Sequence, residues 1–151
     1  MEASIQLTML GRAALAGLLG FAIGFEREYR GKSAGERTFA LLALGAAAFS
    51  AVGAELLGPN GSSRVIQGVV AGMGFLGAGV IFRGEARGVK GLTTAAGAWT
   101  AAAIGVLVGM GAYLAGSLVT VLVLLILELD QIPVLRRIRE RAIQSERSGE
   151  G

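Results

Sequence analysis

Residues 65–82 read VIQGVVAGMGFLGAGVIF, and residues 83–100 continue RGEARGVKGLTTAAGAWT. The first stretch carries no charge, and Gln67 is its one strongly polar side chain. Eighteen such residues wound as a helix rise about 27 Å, close to the roughly 30 Å hydrocarbon core of a bilayer. Glycines stand at 68, 72, 74, 77 and 79, and each costs a water-exposed helix about 1 kcal/mol relative to Ala. In lipid such glycines are tolerated, because the backbone must stay hydrogen-bonded and a bare surface lets another helix come close. The stretch therefore predicts a membrane helix that touches other helices.

The rest of the chain agrees with a lipid solvent. Of 151 residues, 53% are hydrophobic and 17% charged, where a soluble domain carries about a quarter charged; the mean hydropathy is +0.63. The expected fold is all-α: a polytopic bundle of five transmembrane helices, over about 5–25, 38–57, 65–82, 92–110 and 113–129. Residues 58–64 (GPNGSSR) read as a turn, and Gly109 and Gly111 mark a tight one. No secretory leader is read at the N-terminus. Residues 130–151 form a basic tail, in which 134–144 (VLRRIRERAIQ) reads equally as an interfacial helix or a frayed end.

Cysteine and histidine are absent, which removes disulfides, zinc fingers and His- or Cys-based catalysis. No nucleophile–base pair is visible, so an enzyme is not expected. The net charge of +3 comes without basic residues interleaved with aromatics, which argues against nucleic acid. Lys and Arg number twelve in the turns 26–37 and 83–90 and the tail, against Arg64 alone on the other side. The positive-inside rule then places the N-terminus outside and the C-terminus in the cytoplasm.

An internal repeat is legible. Residues 17–31 over 74–88 pair Gly17 with Gly74, Gly20 with Gly77, and Glu28, Arg30 and Gly31 with Glu85, Arg87 and Gly88. One deletion later Gly35, Thr38 and Ala40 fall on Gly91, Thr94 and Ala96. Both halves enter and leave the cytoplasm in the same sense, the mark of a parallel tandem repeat of helical hairpins, spans 1–2 and 3–4.

Two nucleotide-like patterns are decoys. Gly72-Met-Gly74-Phe-Leu-Gly77 fits GxGxxG but lies inside an apolar span with no acidic residue about twenty positions on. Gly31-Lys32-Ser33 resembles the end of a P-loop, yet Glu26 stands where its first glycine belongs.

What converges is a polar set at the cytoplasmic ends of the spans: Glu26, Arg27, Arg37 and Thr38 from the first half, Thr93 and Thr94 from the second. Gly72, Gly74, Gly77, Gly79 and Gly91 supply packing surface or a pathway. One reading is a cytoplasm-facing cavity for a hard cation such as Mg²⁺ or a small solute, with Glu26 the best metal candidate; the other is that these charges only cap and anchor helix ends. No other cofactor is expected. Arg12, roughly 10 Å inside the first span, is costly there and has Glu55 as its one acidic neighbour in depth, so an intramembrane ion pair competes with simple snorkelling. Trp99, mid-span, is expected to pack on glycines.

At GFERE (24–28), AGERT (34–38), RVIQGVVAGMGFLGAGVIF (64–82), VKGLTTAAGAWTAAAIG (89–105) and GMGAY (109–113) the chain resembles the MgtC/SapB family of bacterial inner-membrane proteins. By that resemblance the family's characteristic positions fall on Glu26, Arg27, Gly35, Arg37, Thr38, Arg64, Gly74, Phe75, Leu76, Gly77, Gly79, Gly91, Leu92, Thr93, Thr94 and Trp99. The resemblance implies a role in growth under magnesium limitation and survival inside host cells, without pumping, and for the best-studied type contact with the ATP synthase. Three departures stand out. GSSR (61–64) lacks the family's usual Asp before the Arg64 position, Phe39 replaces a frequent His, and no cytoplasmic ACT-like domain follows the spans.

The function expected is thus non-enzymatic: modulation of magnesium or ion homeostasis through contacts with itself, as a homodimer, or with a membrane partner. The alternative is a small channel or transporter lined by the Glu, Thr and Gly motifs.

Overall fold

A computed structural model describes residues 2–81 and 91–129. Five helices follow in order: α1 (Ala3–Tyr29), α2 (Glu36–Val52), α3 (Gly58–Ile81), α4 (Leu92–Gly109) and α5 (Tyr113–Glu128), with a π-helical turn, Gly53–Leu57, between α2 and α3. The described residues contain no strand. The turn expected at 83–90, with Glu85, Arg87 and Gly88, and the tail 130–151 lie outside the described residues.

Three helical stretches are long and apolar enough to cross a membrane: Ala3–Tyr29, Glu36–Ile81 and Leu92–Gly109. The second would be about 69 Å long if straight, but it folds back at Gly58, whose φ of +65° suits glycine and not an L side chain. A Cβ on Gly53 would come within 3.1 Å of Ser62 Cα, a contact across nine residues that no straight helix makes. So α2 and α3 lie side by side and each supplies a span. The break is far tighter than the expected 58–64 turn. Pro59 opens α3 where its missing N–H costs nothing, and Ser62 and Ser63 donate their hydroxyls to the carbonyls of Gly58 and Asn60. At 16 residues, α5 is the shortest of the five.

Helix α2 is clamped between α1 and α4. A Cβ added to Gly20 of α1 would run into the carbonyl oxygen of Phe39, and one on Gly105 of α4 into that of Ala43. Gly24 and Gly109 abut α2 in the same way, at Glu36 and Ala47. Backbone-to-backbone approach of this kind is how membrane helices gain packing energy without a hydrophobic driving force. Ile23, Phe39, Ala47, Ile104 and Val108 are wholly buried at this seam.

The glycines of α3 behave otherwise. At Gly68, Gly72, Gly74, Gly77 and Gly79 an added Cβ would meet nothing within 4 Å, and only Ser62 and Met73 of the helix are buried. The expectation that this helix uses its glycines to touch others is therefore corrected within the chain. Helical spacing turns Ser62, Val69, Met73 and Val80 inward and sends the glycines to the flanks. The close approaches fall on Gly17, Gly20 and Gly24 of α1 and Gly105 and Gly109 of α4 instead. Trp99 is half-exposed and borders a cavity together with Ile66, Val70 and Met73. Gly74 and Gly77 lack the contacts that their aligned partners Gly17 and Gly20 make.

Candidate functional site

Polar groups gather at both ends of the bundle. At one end Arg12 of α1 reaches three elements at once. Its Nη2 lies 2.8 Å from Glu55 Oε1 in the π-turn, its Nη1 donates to the Gly109 carbonyl at 2.9 Å, and its Nε donates to the Tyr113 hydroxyl at 3.1 Å. A π-turn admits one extra residue and re-aims the side chains around it, and here it carries Glu55. The arrangement satisfies an expensive intramembrane guanidinium and ties α1 to the ends of α4 and α5. The sequence marks Gly109 as a turn glycine and sets both residues within GMGAY, but it does not say that they meet Arg12.

At the other end α1 delivers Glu26, Arg27 and Arg30. Glu26 Oε1 accepts from Arg30 Nε at 2.5 Å, a pair visible in the sequence as i, i+4. Arg30 Nη2 also reaches both oxygens of Glu128, at 2.6 Å, and so fastens α5 to α1. Glu128 above all, with Glu26, holds the Arg30 guanidinium above its ordinary pKa. Glu28 bends back over the start of α2 and accepts the Glu36 N–H at 3.3 Å, a cap supplied from eight residues upstream. The Arg30–Glu128 tie was not legible, because nothing in the sequence says where α5 ends relative to α1.

Arg27 is buried, with its side chain 4% exposed. Its nearest carboxylate oxygen is Glu26 Oε2, 3.7 Å from Nη1, too far for a hydrogen bond. Arg27 Nε and Glu26 Oε2 are both buried without a hydrogen-bond partner. Thr94 is buried as well, whereas Arg37, Thr38 and Thr93 are exposed. The structure thus brings Glu26, Arg27 and the unforeseen Arg30 and Glu128 together; Thr94 lies inward on α4, while Arg37, Thr38 and Thr93 point away from the interior. Gly91 opens α4 with a φ of +92°, where a Cβ would also press within 2.9 Å of the Val80 carbonyl oxygen, so glycine is required there on two counts.

The candidate glycines border concave surfaces. Gly72, with Gly45 and Gly68, lines an apolar groove of about 490 Å³ between α2 and α3. Gly79 lines a second, of about 590 Å³, under Ser33 and Ala34. Among the described residues no group of three or more Asp, Glu, His or Cys could hold a metal ion.

The sequence model of the MgtC family matches residues 13–133, from the first span to beyond the last. This chain belongs to the MgtC family. It is 43% identical over 138 residues to protein MgtC of Brucella abortus, covering 87% of this chain and 58% of that one. It is 42% identical over 150 residues to protein SrpB of Synechococcus elongatus, covering 87% of this chain and 82% of the other. Against protein MgtC of Salmonella typhimurium it is 46% identical over 107 residues, 71% of this chain and 46% of that one. The chain therefore spans about half the length of the MgtC relatives it matches. No solved structure matches it. The family and the apolar helices make this MgtC-family chain a helical membrane protein.

Proposed function

We propose that this chain is a non-enzymatic inner-membrane protein that modulates magnesium or ion homeostasis by helix contact, with a second copy of itself or with a membrane partner such as the ATP synthase. Its N-terminus lies outside and its C-terminus in the cytoplasm. One observation carries the reading: α3 holds five glycines at which an added Cβ would meet nothing within 4 Å among the described residues. Each lowers helix propensity by about 1 kcal/mol, a cost that close approach of another membrane helix offsets. Lipid alone offers no such return.

The occluded seam favours contact over conduction. A solute entering at Glu26 meets Phe39, Ala47, Ile104 and Val108, all without exposure. The channel reading keeps Glu26 as its best cation ligand, with one oxygen engaged by Arg30.

Reconstitution in proteoliposomes separates the two. Contact predicts no Mg²⁺ flux above protein-free vesicles, together with crosslinking of α3 to a second helix in native membrane. Saturable flux that Glu26→Ala abolishes, or monomer alone on crosslinking with no partner captured, overturns it.

A further inference from the structure

The buried end of α1 holds one free donor and one free acceptor side by side, and helix register says what they face. Gly24 abuts Gly35 and Glu36 at the start of α2. Arg27, three residues on and on the same face, stands about 4.5 Å further along the axis, just beyond the first turn of α2. Gly105 and Gly109 of α4 meet Ala43 and Ala47 of α2, so Thr94, three turns before Gly105, stands about one turn beyond the start of α2, level with Arg27. Helix α4 thus begins further along the axis than α2. Each has a glycine N-cap, Gly35 and Gly91, and neither makes a side-chain capping bond of its own.

Glu28 takes the Glu36 N–H of α2. The first-turn N–H groups of α4 have no acceptor among the described residues. Such amides attract anions through their partial positive charge. On their level Arg27 brings a guanidinium whose Nε is buried without a hydrogen-bond partner and whose Nη1 has Glu26 Oε2 at 3.7 Å. Leaving such a group unpaired is costly. As α1's last-turn cation it gains from the helix dipole, but the dipole fills no N–H. Among the described residues, Glu26 Oε1 and Glu128 are taken by Arg30 and Glu28 by α2, and Glu26 Oε2 stops 3.7 Å short of Arg27 Nη1.

The free acceptor, Glu26 Oε2, refines the chemistry. A ligand that fits must offer anionic oxygens to Arg27 and the α4 amides, and an O–H to Glu26. Hydrogen phosphate does both. Sulfate, fully deprotonated at neutral pH, would set an oxygen against the carboxylate. We infer that Arg27, Glu26 Oε2, Thr94 and the N-terminus of α4 form a site for a protonated phosphate group, of inorganic phosphate or of a phosphomonoester lipid headgroup. The inference stands apart from the contact reading, because binding by purified protein depends on neither a partner nor a phenotype.

The test is calorimetry and thermal unfolding of protein in a maltoside detergent, stripped of lipid and in phosphate-free buffer. Inorganic phosphate is expected to bind saturably and raise the unfolding midpoint, with sulfate at least about tenfold weaker. Phosphatidic acid binding in its place would assign the site to a lipid monoester and support the same chemistry; phosphatidylglycerol, a diester with hydroxyls on its glycerol but no P–OH, is expected to fail. Arg27→Gln should abolish binding. Thr94→Val, nearly isosteric, guards against misfolding and should weaken phosphate about three- to tenfold. Glu26→Gln should bring sulfate and phosphate together. No phosphate or phosphatidic acid binding, equal affinity for sulfate in the unaltered protein, or undiminished binding by correctly folded Arg27→Gln overturns the inference.

Discussion

Arg12 lies 2.8 Å from Glu55, and the pair closes the ring of contacts that also takes in Gly109 and Tyr113. The two side chains are 14% and 27% exposed, which lifts the pair above the usual surface ion pair. Removing one partner strands the other in low dielectric. Glu55→Ala is therefore expected to cost about 1.5–3 kcal/mol of stability, read by unfolding in detergent. Tyr113→Phe, which removes one bond to a charge and leaves the ring, should cost about 1 kcal/mol. Equal and negligible effects would mean that Arg12 is satisfied by water or headgroups.

The glycines sort into two classes with opposite responses. Gly20→Val and Gly105→Val overpack the seams of α2 and should cost at least about 1–3 kcal/mol each. Gly74→Ala and Gly77→Ala enter open space and should leave the monomer unchanged or more stable by up to about 1 kcal/mol, while weakening self-association in a crosslinking assay. Destabilised monomer at Gly74 would show that α3 packs more tightly than described.

Ser50 is wholly buried and its hydroxyl has no partner. An unsatisfied buried hydroxyl carries a desolvation cost without return, so Ser50→Ala should stabilise by about 1 kcal/mol. A loss of stability of that size instead would indicate an ordered water on Oγ.

The absence of cysteine gives a clean background for mapping orientation. Ser33 and Ser63 are exposed at opposite ends of the bundle. With the N-terminus outside, Ser63→Cys should react with an impermeant thiol reagent in intact cells, and Ser33→Cys only after the cytoplasmic face is opened. The reverse pattern would invert the proposed topology.

Much of this fold is legible in the sequence because lipid imposes length. The apolar stretches 5–25, 92–110 and 113–129 fall on the helices α1, α4 and α5, since apolar runs and the Gly109–Gly111 bend mark their ends. The 58–64 segment misleads, because Pro, Asn and Gly signal a turn equally at a helix start. The glycine-rich α3 misleads for a related reason: composition says that a surface is bare, not which neighbour uses it. At the polar end, Glu26 and Arg27 stand out as charges beside a span, but their partners depend on where α4 begins and α5 ends. Those are relations between helices, and periodicity along one helix does not encode them.

Ala43 sits where glycines from two sides meet α2, with Gly20 against its Cβ and Gly105 against its carbonyl oxygen. A helix gripped by backbone on both flanks cannot slide, turn or tilt without carrying its neighbours along. The trio α1, α2 and α4 consequently moves as one slab.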